Sequence, residues 1–248
     1  MSFSLILHNI EHPPTRQLLE EISLKVPGIA KADCAGFLEH WCGIVASNLE
    51  LQSAQAFQAA LRTAGYETDI VLDRDIPALH SDYRCQRIGL SEHVILLTDA
   101  MGRSWDKPRQ ELVFAAAGIT TKQKLVSTYQ VEFETHYSSH GNYNVPVERL
   151  IKEAVDKTFF RVDLFFTNEP NRISLEIDHG SVLFYADRPM RLKDTLNLKI
   201  LMTDLYALLP PDRMNTSLRQ RSVDHTYSNM NAYEEEIRWA FYRLGAKG

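Results

Sequence analysis

The first third of the chain alternates between the apolar spacing of strands and that of helices. Apolar residues recur at helical spacing in two stretches, and the segments around them are extended and rich in β-forming side chains. The predicted elements are a strand at Phe3–Ile10, a helix at Thr15–Val26, an extended run at Phe37–Ser47, a helix at Gln52–Ala64 and a strand at Glu67–Leu72. This order predicts a ferredoxin-like α/β sandwich over residues 1–75, with two helices on one face of a mixed sheet.

The rest of the chain shows a different pattern of predicted elements, because short strands follow one another with few helices between them. Residues 73–83 lose periodicity and are predicted to be a linker, which gives a second domain at residues 84–248. Its predicted strands are Cys85–Leu90, His93–Thr98, Glu111–Thr120, Lys124–Glu132, Phe159–Thr167, Arg172–Ile177 and Ser181–Ala186. Helices are predicted at Val147–Val155, Arg191–Leu209 and Ala232–Leu244.

Several segments of this second part resemble a known group of sequences. Strand hairpins followed by a long amphipathic helix, with the stretches RIGLSEHVILLTDAMGR, LKILMTDLYALLP and YEEEIRWAFYRL, are similar to an uncharacterised group of bacterial proteins with a pleckstrin-homology-like (PH-like) core. The resemblance covers about Arg84 to Leu244. It implies an α+β protein whose C-terminal domain is a PH-like antiparallel β-barrel, capped by a long C-terminal helix.

The loop of the first predicted hairpin in this domain carries the candidate binding residues. Phosphoinositide-binding members of the PH-like group use basic residues there, and this loop offers Arg103 and Lys107. Asp99 and Asp106 offset those two charges, so the resemblance does not imply binding of a lipid headgroup. Trp105 lies in the same polar loop, where an exposed indole would be a contact anchor for a protein or peptide.

Composition and charge exclude several classes of function. The formal net charge is -5 and 24% of the residues are charged, which is ordinary for a globular protein. Lys and Arg do not form blocks, so a nucleic-acid partner is not predicted. The N-terminal segment lacks the basic start and long apolar run of a signal peptide, and no window approaches the roughly 20 apolar residues of a membrane span. We therefore predict a cytoplasmic protein without a transmembrane segment.

Local motifs for catalysis and cofactor binding do not occur in the sequence. Glycine-rich phosphate loops, a nucleophile elbow and C-x-x-C spacing are all missing, so we predict no cofactor. His136 and His140 stand four residues apart, with Glu132 and Glu134 just upstream, and are the candidate metal ligands. The Ser, Gly and Asn residues around them favour a loop with two solvated histidines over a metal site.

These observations favour a non-catalytic bacterial protein that serves as a protein- or peptide-binding scaffold. Its partner would be a protein, a peptide or a second copy of the chain in a homodimer. Two alternatives stay open. One is a small-ligand-sensing regulatory protein, because ferredoxin-like domains commonly dimerise and bind effectors. The other is a metal-dependent enzyme that uses His136 and His140.

Overall fold

The computed structural model describes residues 1–29, 42–79, 81–138, 141–167, 169, 171–177, 182–185, 188–191 and 195–245, and the protein is of the α+β class. The chain forms two compact units. The first consists of Met1–Thr120 together with Phe159–Gly248, and the second is Thr121–Thr158. The expected linker near residues 73–83 lies inside the first unit, and the division into domains 1–75 and 84–248 stays a prediction.

A three-stranded sheet forms the N-terminal part of the first unit, with two helices among the residues described there. Strand β1 (Phe3–Leu7) lies between β2 (Ile44–Leu49) and β3 (Thr68–Leu72), and both pairings are antiparallel. The helices are α1 (Arg16–Ser23) and α2 (Leu51–Thr63). The mixed sheet predicted from the sequence is therefore wrong for the described strands, because both neighbours of β1 run antiparallel to it.

Local sequence explains why these helices form and which face they bury. Thr15 caps α1, since its hydroxyl accepts a hydrogen bond from the backbone N–H of Leu18 at 3.2 Å. Leu19 of α1 and Phe57 and Leu61 of α2 are fully buried in one apolar cluster, together with Leu5 of β1. Helical spacing of apolar residues thus produces one sheet face covered by two helices.

The second sheet of the protein is larger and open. Its strands are β4 (Asp82–Leu90), β5 (Val94–Asp99), β6 (Ser104–Pro108), β7 (Leu112–Ser138), β8 (Gly141–Phe166), β9 (Arg172–Ile177), β10 (Val182–Tyr185) and β11 (Arg188–Arg191). The strand order is β11-β10-β4-β9-β8-β7. Outside this order, β5 pairs with β4, and β6 pairs with β5. Strand β4 pairs in parallel with β9 through its first half and with β10 through its second half.

The PH-like barrel expected for residues 84–248 is not confirmed, because no sheet formed by the described strands closes on itself. The far edge of β7 meets the C-terminal segment instead of a closing strand. Single parallel bridges join Ala115 to Met214 and Ile119 to Thr226. The side chain of Asn215 also pairs with the backbone of Ala117, accepting from its N–H at 3.0 Å and donating to its carbonyl at 2.7 Å.

Three α-helices follow the strands in the part of the chain that the structure describes. They are α3 (Thr195–Tyr206), α4 (Thr216–Gln220) and α5 (Met230–Arg243). Asn229 caps α5 by accepting from the N–H of Ala232 at 3.0 Å. None of the helices within the described residues is long and apolar enough to cross a membrane.

The region 121–158 contradicts the sequence-based interpretation most clearly. The predicted strands Glu111–Thr120 and Lys124–Glu132 are not separate, since β7 runs through both, and the helix predicted at Val147–Val155 is part of β8. Apolar residues there fit helical spacing, but the β-branched Val147, Ile151 and Val155 also fit the period of two, and the strand pairing of β7 with β8 prevails.

Helix α5 joins the two sheets of the first unit. The Trp239 indole N–H donates to the carbonyl oxygen of Leu7 in β1 at 2.7 Å. Gly43 permits this approach, because a Cβ atom there would lie 2.4 Å from the indole ring, and its φ of +95° also favours glycine. The opposite face of the N-terminal sheet, including Ile6 and Ile44, is thereby covered by a helix from the far end of the chain.

Candidate functional site

The predicted contact anchor Trp105 lies on strand β6, where it pairs with Leu97 of β5, and not on an exposed loop. Its indole is half-buried and packs against the main core, with the ring of Tyr83 edge-on at 5.2 Å between centroids. A small cleft of about 110 Å³ lies between these two rings, Glu169 and Ile173. The pairing with Leu97 explains the burial, because alternate residues of β5 enter the core.

Arg103 and Lys107, the two predicted cationic binding residues, flank Trp105 and are both paired with carboxylates. The guanidinium of Arg103 donates from Nε to Asp99 Oδ2 at 2.7 Å, and Lys107 donates to Glu169. Burial alone would raise the pKa of Asp99, but hydrogen bonds from Arg103, Tyr83 and the loop backbone lower that pKa to about 2. The structure thus brings the three predicted residues together, while their role in binding stays a prediction.

The predicted metal ligands lie outside what the structure describes, since His140 and the side chain of His136 are not included. The carboxylates near these histidines form ion pairs with an arginine of the same chain. Arg149 of β8 contacts Glu132 at 3.2 Å and Glu134 at 2.5 Å. Among the side chains that the structure does describe, no group of three or more His, Cys, Asp and Glu residues could hold a metal ion.

Of the cysteines within the described ranges, Cys85 is buried and Cys42 is half-buried, and neither thiol has an activating partner there. Burial, reinforced by the Glu236 and Glu235 carboxylates, raises the pKa of Cys42, and burial raises the pKa of Cys85 to about 12. Thiols of this kind stay protonated at neutral pH and are poor nucleophiles. Cys34 and His40 lie outside the described residues.

A buried ionic cluster is the first feature that the sequence did not disclose. Arg161 of β8 is 2% exposed and donates four hydrogen bonds, two to Asp163 at 2.7 and 2.9 Å, one to Glu176 at 2.9 Å and one to Asp82 at 3.1 Å. Arg172 extends the cluster to Glu234 of α5. Burial opposes the charge of Arg161, but the Asp163 carboxylate more than compensates and raises the pKa of the guanidinium.

This cluster has the properties of a structural element of the first unit. Its carboxylates are matched by guanidinium groups, and Tyr233 of α5 lies fully buried beside Asp163 and Arg161. Burial and the Asp163 charge raise the pKa of Tyr233 well above its usual value. The cluster fixes the position of α5 on β8 and β9 because misplacing the helix would leave a buried charge without its counterion.

The second feature is an exposed apolar surface in the unit Thr121–Thr158. This unit, which we call the ribbon, consists of Thr121–Ser138 of β7 and Gly141–Thr158 of β8. Arg149 contacts Glu132 and Glu134, so these three side chains share one face. Side chains alternate along a strand, and the residues next to them therefore point to the opposite face.

That opposite face carries the larger apolar side chains of the ribbon, while the smaller Val126 and Val155, 40% and 46% exposed, lie on the face of Arg149. We call the opposite face the apolar face, and it consists of Leu125, Tyr129, Val131, Phe133 and Leu150. Their side chains are 70%, 71%, 52%, 68% and 50% exposed, respectively. None of the side chains described between residues 121 and 158 is buried. The alternation of Tyr129, Val131 and Phe133 with polar residues is the sequence signal that could have revealed this face.

A cleft in the N-terminal part is the third feature. It has a volume of about 400 Å³ and is lined by backbone and side chains of Leu7, His8, Asn9, His12, Ala64, Gly65, Tyr66 and Glu67. His8 occupies its wall between two carboxylates, with Nε2 at 2.8 Å from Asp69 and Nδ1 at 3.3 Å from Glu67. The volume lies within the range of small-molecule sites, and the polar groups that line the cleft belong to two short segments, residues 7–12 and 64–67.

Comparison with family models, with curated proteins and with solved structures returns no match for this chain. The resemblance to a bacterial PH-like group thus stays a prediction.

Proposed function

We propose that the chain is a cytoplasmic, non-catalytic protein-binding module that binds its partner through the apolar face of the ribbon. The observation that carries the proposal is the exposure of five large apolar side chains on one side of a two-stranded structure. A contiguous apolar patch on a soluble surface is typical of an interaction site. Tyr129 and Phe133 belong to the aromatic types that are enriched in protein interfaces.

The energetics of the ribbon support a binding role. A two-stranded hairpin in water is at best marginally stable, because it cannot bury its apolar side chains between its own strands. Covering the apolar face would remove Leu125, Tyr129 and Phe133 from water at about 25 cal/mol per Å² of apolar surface. A partner that covers this face therefore stabilises the ribbon and gains affinity from the same contact.

The finer fold assignments belong to this proposal as well. The order strand, helix, strand, helix, strand around β1 supports a ferredoxin-like relationship for the N-terminal part. The succession of hairpins before α3 supports a distant PH-like relationship for the rest, although its sheet is open. Both of these folds often serve as binding modules, which agrees with the proposed function.

Site-specific photocrosslinking in cells tests the proposal. A photoreactive phenylalanine analogue in place of Tyr129 should give a discrete covalent adduct to a protein, because this side chain lies in the centre of the apolar face. The matched control carries the analogue at Gln130, which is exposed on the other face, and should give no such adduct. The absence of an adduct at position 129, or equal adducts at both positions, would contradict a protein-binding role of this face.

A second candidate function, small-ligand sensing, is favoured by the 400 Å³ cleft beside His8. His12, Tyr66 and Glu67 line the same cleft and could hydrogen-bond a small polar molecule. A thermal-shift screen with polar metabolites tests this candidate. A ligand that raises the melting temperature of the wild type but not of His12→Ala would support it, and the absence of any such ligand would exclude it.

A further inference from the structure

The unit Thr121–Thr158 has an apolar face whose dimensions fit a second ribbon. The Thr121–Ser138 strand is roughly 60 Å long at about 3.3 Å per residue. Two strands about 4.8 Å apart, with their side chains, offer a face about 10 Å wide. Two ribbons in contact along their full length would bury on the order of 1,200 Å² in total, which is where stable protein interfaces begin, and the stretch from Leu125 to Phe133 would supply about half of it.

The order of residues along the ribbon is self-complementary. Thr121 and Thr158 face each other across the two strands, with their hydroxyls 3.5 Å apart. We extend this pairing inward in an unbroken register, and eight residues along each strand it places Tyr129 opposite Leu150. Leu125 and Phe133 lie four residues on either side of Tyr129 on the same face.

The charges on this face follow the same symmetry. Glu148 and Lys152 lie two residues on either side of Leu150, both are exposed, and alternation places both on the apolar face. A two-fold axis level with Leu150, perpendicular to the strands, exchanges these two positions. It would bring Glu148 of one copy against Lys152 of the other, and Phe133 against Leu125.

We propose that the partner of the apolar face is a second copy of this chain, and that two ribbons pack face to face and antiparallel about an axis level with Tyr129 and Leu150. This inference rests on the proposed function and names its partner. An unrelated partner would need no such symmetry of charge and size on the face. The match between Glu148 and Lys152 also defines the register, because a shift by two residues would bring like charges closer together.

Charge exchange in the full-length chain tests both the partner and the orientation. Analytical ultracentrifugation of the wild type at about 50 µM should give a species of twice 28.4 kDa. Glu148→Lys creates two Lys–Lys contacts in the dimer and Lys152→Glu creates two Glu–Glu contacts. Each variant alone should dimerise about 5- to 30-fold more weakly at low salt. An equimolar mixture of the two variants should regain wild-type affinity, because both contacts then pair opposite charges.

The matched control is Glu153→Lys, the same substitution at an exposed position on the other face, and it should leave the dimer unchanged. Tyr129→Ser should weaken the dimer at all salt concentrations, because it removes apolar contact. Circular dichroism verifies that each variant is folded. A wild type that stays monomeric at about 500 µM would overturn the inference, and so would a mixture that fails to regain affinity.

The failure of this inference is distinguishable from the failure of the proposed function. A monomeric wild type that still gives a crosslinked adduct of another mass at position 129 retains the protein-binding role with a different partner. Binding of a monomeric chain to phosphatidylglycerol vesicles that is lost in Tyr129→Ser would instead assign the face to a membrane surface. Without any adduct at position 129, the proposed function itself would fall.

Discussion

Replacing Arg161 by Met should be among the most destabilising single changes in this protein. The methionine fills most of the volume of the arginine stem but removes the guanidinium that donates two hydrogen bonds to Asp163. Asp163 is 0% exposed, and its other cation, Arg172, lies 3.9 Å away at Nε. Removing one partner of a buried ion pair typically costs about 3–5 kcal/mol, so we expect a loss in this range from a total that is usually about 5–15 kcal/mol.

The remaining carboxylates around Arg161 should contribute little to that loss. Without Arg161, both acids still have the Arg84 guanidinium as a counterion, at 3.1 Å from Glu176 and 3.7 Å from Asp82, and both are partly exposed. The double variant Arg161→Met/Asp163→Leu should therefore regain more than half of the lost stability, because it leaves no buried charge without a counterion.

Urea denaturation at pH 7, followed by circular dichroism and tryptophan fluorescence, measures the free energy of unfolding. The control is Arg149→Met, which also removes an arginine between two carboxylates, but at an exposed site where the cost should stay below about 1 kcal/mol. The reasoning would be refuted if Arg161→Met cost less than about 1 kcal/mol, or if the double variant were no more stable than the single one.

Three further changes test other parts of the fold. Gly43→Ala should cost about 2–4 kcal/mol in urea denaturation, since the new methyl group meets the Trp239 ring at positive φ; a neutral effect would contradict this packing. The pKa of Asp99 is lowered to about 2, so the stability that its carboxylate contributes is complete above pH 4 and is lost as the pH falls towards 2. Melting curves of Asp99→Asn should therefore lack this loss of melting temperature between pH 4 and pH 2. Burial raises the pKa of Glu235 to about 8, so the folded state holds this proton more tightly than the unfolded state and stability should fall as the pH rises from 4.5 to 8. The melting temperature of Glu235→Gln should be higher than that of the wild type at pH 8 but not at pH 4.

Periodicity predicted the elements whose burial is set by local pattern. Strands β5 and β9 and helix α2 lie within a few residues of their predicted bounds, because each has an apolar side that faces a core formed by its sequence neighbours. Helix α5 was also predicted, and it begins two residues earlier than expected, after its capping residue Asn229. Asn229 caps the helix because its side-chain oxygen accepts a hydrogen bond from the N–H of Ala232, the third residue of the helix.

The ribbon and the ionic cluster could not be predicted for different physical reasons. In β8 the spacing of Val147, Ile151 and Val155 fits a helix as well as a strand, and only the pairing with β7 decides between them. Arg161 and Asp163 alternate with Val162 and Leu164, which is the pattern of a strand with one solvated face. That face is buried by α5, a helix some seventy residues further along the chain.

The hydrogen bond from Trp239 to Leu7 also constrains when the protein can finish folding. The two residues are separated by 232 positions in the sequence. At the usual rate of synthesis of about 5–20 residues per second, roughly 10–50 s pass between the appearance of the two residues. Strand β3 ends at Leu72, so the sheet face that carries Ile6 and Ile44 lacks its covering helix for about 8–33 s of that interval, while residues 73–239 are made. The nascent chain therefore exposes an apolar surface for tens of seconds, which is long enough for a chaperone to bind it or for a neighbouring nascent chain to associate with it.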